Sequence, residues 1–348
     1  MIDKEGKRAE RDVFSDLVAL CCRPGYVHAL AAICLRDNVV IHGGSMTVAD
    51  MRKMFSPSRL IRTEINTLLG LMIKANIDWT LPAPGTLQEY IDTTEKLLEE
   101  LKQCLSSELP SGLTKEAVGS GFNPFERGEV LREPIFYSGE AAYNFQYLDL
   151  AGRKYAADAQ WLEQNCGFTI DHAARVAKAV EYVRGERFAM ISDRMLKQHP
   201  DEWTTLPLFA FAVDEIATEA KLNIDVVERV LSAFELLSTE RNEGFNALND
   251  FNVITAKPLL RLPSGEFLLL QFYSLAEAIY EAPHHWMYQD KEYRPTLSKN
   301  RGDFTETFVA ERLGLVFGDK CVYLNVDIFE TKSVKISDVD VLVIWGNR

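Results

Sequence analysis

Apolar residues recur at spacings of three and four through the first two-thirds of the chain, the period of a helix with one buried face. This pattern predicts helices over DVFSDLVALCC (12–22) and over 26–35, separated by a break at Pro24-Gly25. RLIRTEINTLLGLMIKAN (59–76) carries Ile61, Ile65, Leu68 and Leu69 on one face and stops before Pro82-Ala83-Pro84-Gly85. TLQEYIDTTEKLLEELKQCL (86–105) is amphipathic, acidic early, with Lys102 near its end, as the helix dipole favours. AAYNFQYLDLAGRKYAADAQWLEQNCGF (141–168) leads to Thr169, an N-cap for a long helix, and NIDVVERVLSAFELLS (223–238) predicts another.

The pattern changes near residue 250. VITAKPLLRLPSGEFLLLQF reads as two strands around a Pro263-Ser264-Gly265 turn. SLAEAIYE has Ser274 and Glu277 at capping-box spacing, followed by a link rich in aromatics. A helix over 301–318 precedes the strands CVYLNVDIF and ISDVDVLVIW, which flank a turn near Thr331-Lys332-Ser333. The expected fold class is α+β, with a large helical region, a β-hairpin and an α/β unit. Segments are expected at 1–110, 111–250 and 251–348, with a connection rich in Gly, Ser and Pro over 106–129.

The 348 residues are 47% hydrophobic and 26% charged, the balance of a folded soluble protein. A net charge of −13 argues against a general electrostatic grip on nucleic acid. Residues 289–348 are close to charge-balanced, so a local basic groove is still open there. The charged opening MIDKEGKRAERD is unlike a signal peptide, and no apolar run is long enough for a bilayer. The six scattered cysteines form no Cys-x-x-Cys pair and read as reduced thiols, so a cytoplasmic location is expected.

Two features carry candidate chemistry. Glu306 shares a helix face with Val309, Ala310 and Leu313, where a carboxylate needs a partner. Asp338 and Asp340 share one strand face with Leu342 and Ile344. A helix with an inward glutamate, then a strand pair whose second member opens with Asp-x-Asp, suits a hard divalent cation such as Mg²⁺. On pattern alone a solvated strand entry is the favoured explanation of the Asp-x-Asp, and pairing with an upstream arginine such as Arg301, or reach to the rim, accounts for Glu306 without a metal.

The order NRGDFTETFVAERLGLVFG, VYLNVDI, DVDVLVIWGNR resembles the first half of a PD-(D/E)xK nuclease core. AKPLLRLPSGEFLLL and LAEAIYEAPHHWM add a likeness to large bacterial nuclease-related proteins. The resemblance implies a restriction-endonuclease-like layout, Glu306 and Asp340 as catalytic metal-side carboxylates, Asp338 as a secondary ligand, Mg²⁺ or Mn²⁺, and DNA as substrate. The family's Glu-x-Lys strand does not follow Asp340, and Lys332 and Lys335 precede it. The expectation is therefore a truncated, inactive fragment that binds metal weakly or not at all. The alternative is a non-enzymatic helical module for protein interaction or sensing.

Other motifs are weaker. His284-His285 reads as part of a packing linker or a base-stacking surface. His28, His42, His172 and His199 have no partner at ligand spacing. Gly119-Ser120-Gly121 lacks the features of a phosphate loop. Lys257, Arg261, Arg294, Lys299 and Arg301 are candidates for a phosphate-facing surface or simply solvated charge.

Overall fold

The computed structural model describes residues 8–38, 59–106, 142–190 and 202–346, with isolated positions at 47–49, 52, 56, 132 and 136. His42, His199, Gly119-Ser120-Gly121 and nearly all of the 106–129 connection lie outside these residues. The fold is α+β. It divides into two compact units, one of residues 1–146 and 172–278, the other of 147–171 and 279–348. Both are discontinuous in sequence, so the division departs from the boundaries expected near 110 and 250.

The first unit is built on four helices, α1 (Glu10–Cys21), α2 (Tyr26–Asn38), α3 (Arg62–Met72) and α4 (Pro84–Ser106). Each of α1 and α2 packs on both α3 and α4. Val13, Leu17, Leu30, Ile33, Ile65, Leu68 and Leu101 meet in their core, the apolar stripes read from the sequence. Gly25 makes the break between α1 and α2 at φ 73°, and a Cβ there would stand 2.4 Å from the Thr80 carbonyl. Pro84 opens α4, where a missing N–H costs nothing.

Further along, α7 (Ile170–Ala189) starts one residue after Thr169, and α8 (Val213–Ala220) precedes α9 (Ile224–Ala233). Asn223 caps α9 by accepting the Asp225 N–H at 2.8 Å. The helix stops short of the expected 238. Leu236 N–H instead donates to Leu259 O at 2.8 Å, and Leu259 N–H to Phe234 O at 3.1 Å.

A small sheet follows, with β1 (Ala210–Phe211), β2 (Leu260–Arg261) and β3 (Phe267–Leu268) in the order β1-β3-β2. β2 and β3 are antiparallel around the expected turn, with Leu260 opposite Leu268 and Gly265 at φ 93°. α10 (Phe272–Gln289) begins earlier than the Ser274 capping box suggests. Ser274 lies inside its first turn and donates to Gln271 O at 2.7 Å. The aromatic stretch expected as a linker is helical, with Pro283 inside it.

The second unit contains most of α5 (Asn144–Lys154), a 3₁₀ turn at Ala156–Asp158, α6 (Ala159–Cys166), the later part of α10, and α11 (Arg294–Phe317). It ends in β4 (Val322–Thr331) and β5 (Val334–Val343), an antiparallel hairpin. α11 packs against both strands and against the 156–158 turn. The strand pair and its turn at 332–333 match the sequence reading.

No single described helix is long and apolar enough to cross a membrane. α1 and α2 together have the composition, but they are bent by 106° and bury their apolar faces in the core. The six cysteines are free; Cys21 and Cys34 are buried and the others partly so.

Candidate functional site

α11 displays Glu306 half-buried, beside half-buried Ala310 and Leu313, while Val309 is exposed. The apolar face inferred around Glu306 is thus only partly covered. Glu306 makes no ion pair among the described residues, with Arg301 or otherwise. Asp338 and Asp340 both lie exposed on β5.

Asp338 stands directly opposite Asp327 across the ladder, a repulsive pairing unless a cation joins it. Lys335 supplies that cation, with Nζ 2.7 Å from Asp327 and 4.0 Å from Asp338. The two carboxylates hold the Lys335 ammonium above its usual pKa, Asp327 most strongly. Pairing passes from Leu324–Val341 to Val326–Val339, and the residue facing Asp340 is Asn325, at φ 52°. A non-glycine residue in that region is uncommon and costs backbone strain.

Among the described residues, no group of three or more His, Cys, Asp or Glu side chains is placed to hold a metal ion. The residues therefore do not fit a complete divalent-metal centre. The sequence placed the carboxylates on their elements; it did not show the lysine already engaged with Asp338.

A second cluster lies in the same unit, where α5, α10 and α11 meet. Pro283 has no N–H, which leaves the Ile279 carbonyl without its helical donor. One residue on, the Tyr155 hydroxyl bridges the helix, accepting the His284 N–H at 3.2 Å and donating to Tyr280 O at 2.7 Å. Lys154 Nζ donates to the same carbonyl at 2.7 Å and sits 3.7 Å from the centre of the Tyr280 ring.

Lys154 is only 3% exposed. Burial pushes its pKa down to about 8, against the pull of Glu281 and helped by the neighbouring Arg301. Burial, then Arg301, His285 and Lys154, likewise lower the His284 imidazole. Burial raises the Tyr155 phenol, with Arg301 pulling the other way.

His284 Nδ1 and Arg301 Nη1 are closed off from solvent with no hydrogen-bond partner among the described residues. Each such atom costs about 1–3 kcal/mol. Below the cluster, the buried Asp158 accepts from Tyr293 Oη at 2.7 Å and Asn300 Nδ2 at 2.6 Å, and so ties α11 to the 3₁₀ turn.

The sequence missed this cluster because Lys154-Tyr155 and Arg301 lie far apart in the chain. The His-His pair was noticed as part of a linker, but both residues lie on α10, where successive side chains are about 100° apart. Their rings approach edge-on at 5.6 Å. Of the five basic residues considered for a phosphate surface, Lys257 pairs with Glu240 and Arg261 with Glu235 and Glu228. Arg294 covers Tyr288, and Lys299 lies 3.5 Å from Asp303. Arg301 alone of the five keeps a buried, unpaired nitrogen.

The first unit offers a mostly apolar groove of about 450 Å³, lined by Thr63, Asn66, Phe136, Phe245, Phe251 and Thr255 among others. His28 in this unit is structural. Nε2 contacts Trp79 O at 3.0 Å and Nδ1 contacts Thr204 Oγ1 at 2.7 Å, and burial lowers its pKa. No protein-family model, curated protein or solved structure matches the chain.

Proposed function

We propose that the second unit holds the helix and hairpin of a PD-(D/E)xK-like nuclease core, in a cytoplasmic nuclease-related protein whose target is DNA. The observation that carries the reading is the succession α11–β4–β5. A helix bearing Glu306 packs on an antiparallel hairpin whose second strand presents Asp338 and Asp340 on one face. Glu306 and Asp340 are the metal-side carboxylates of this reading, with Asp338 restrained by Lys335.

The donor set is incomplete, because Glu306, Asp338 and Asp340 do not form a group placed to hold a metal ion among the described residues. Residues 1–348 are therefore expected to take up Mg²⁺ or Mn²⁺ weakly and not to cut DNA.

Mn²⁺ titration followed by electron paramagnetic resonance tests this. Weak uptake is expected, with affinity reduced at least tenfold by Glu306→Ala and by Asp340→Ala while circular dichroism stays unchanged. Uptake that neither substitution alters removes the metal assignment. Plasmid cleavage by residues 1–348 that survives both substitutions removes the nuclease reading altogether.

A second reading has its own support. The apolar groove of the first unit, with Phe251 68% exposed at its edge, suits a helical protein-interaction or sensing module.

A further inference from the structure

Lys154, His284 and Arg301 bring three basic side chains from three helices to one place, and among the described residues the carboxylate against them is that of Glu281. That carboxylate is a loose partner. It is 57% exposed and stands 3.5 Å from Lys154 Nζ, longer than the roughly 2.7–2.9 Å of a tight charged bond. His284 Nδ1 and Arg301 Nη1 have no hydrogen-bond partner among the described residues.

We infer that this cluster is a binding site for a phosphoryl oxyanion, which displaces the Glu281 carboxylate and is held by Arg301, His284 and Lys154. The inference is independent of the nuclease reading and uses none of its carboxylates. An oxyanion supplies what the cluster lacks, several acceptor oxygens and negative charge beside a guanidinium fork. Tyr155 and Pro283 fix the backbone of α10 around it, so the His284 ring is placed by a tied helix turn rather than by a loop.

Glu281 then acts as the resident stand-in, neutralising Lys154 until the ligand arrives. The ligand's source is either a phosphomonoester (free phosphate or a mononucleotide) or the phosphodiester of a nucleic acid strand.

Imidazole NMR of His284 in the 348-residue chain tests the site, with three probes: inorganic phosphate, a 5′-mononucleotide, and a short single-stranded oligonucleotide without terminal phosphate. The groups facing His284 are Lys154 and Tyr155 at the end of α5, Tyr280, Glu281, His285 and Tyr288 on α10, and Arg301 on α11. Binding replaces the loosely held, largely exposed Glu281 carboxylate with a phosphoryl group bonded directly at the cluster, so it should raise the His284 midpoint. Arg301→Gln should weaken binding at least tenfold, and Glu281→Gln should strengthen it severalfold.

Preference for the mononucleotide over the oligonucleotide assigns a monoester ligand, and the reverse order assigns a phosphodiester. Both orders support the site. The inference falls if no probe moves the His284 midpoint saturably. It falls equally if Glu281→Gln leaves the affinity unchanged, a test that stands even where Arg301→Gln unfolds the unit.

Discussion

Arg184 on α7 is fully removed from solvent, and its Nε, Nη1 and Nη2 have no hydrogen-bond partner among the described residues. The rings of Phe272, Phe209 and Phe188 surround its guanidinium, with centroids 4.5, 5.1 and 5.7 Å from Cζ. Burial pushes its pKa down, with Cys34 and Glu181 giving only electrostatic support. Ring faces attract a cation by about 2 kcal/mol when desolvated, less than the several kcal/mol needed to strip a charge of water. Arg184→Met should therefore keep the fold and raise the midpoint of thermal unfolding by a few degrees, read by circular dichroism. A fall of several degrees would mean that the charge is needed where it sits. Nothing in VRGER marks this arginine in the sequence, because its aromatic neighbours come from segments more than twenty or eighty residues away, apart from Phe188.

At the scale of elements, the hairpin was legible because its alternation and its Lys-Ser turn are local signals. It is also the least covered part of the second unit. Ile336 is 63% exposed and Phe329 50%, and most positions on both strands face solvent. Two strands with open faces are marginal by themselves. Hydrogen exchange followed by mass spectrometry should therefore find β4 and β5 amides exchanging well ahead of those in α2 and α3. Equal protection would show that another surface covers the hairpin. α10 was less legible, because Pro283 and the histidine pair suggest an interruption. The hydroxyl that carries the helix past it belongs to Tyr155, which no local pattern could indicate.

Across the whole molecule, period and composition were enough for the α+β class and for the core faces of the first four helices. The division into two discontinuous units was not, since it depends on which distant segments meet. The same limit separates the two candidate sites. Glu306, Asp338 and Asp340 could be placed by element order alone, whereas the Lys154–His284–Arg301 cluster exists only through tertiary packing. The burial of Cys21 and Cys34, at 1% and 0% exposure, gives the chain an internal clock. Burial also raises both thiols above their ordinary pKa, so little reactive thiolate forms while the core is closed. A maleimide reagent should modify Cys22, Cys104, Cys166 and Cys321 first and reach the remaining two only as fast as the first four helices part. Counting adducts by mass over time thus measures how often that bundle opens, and six thiols reacting in a single phase would mean it is seldom shut.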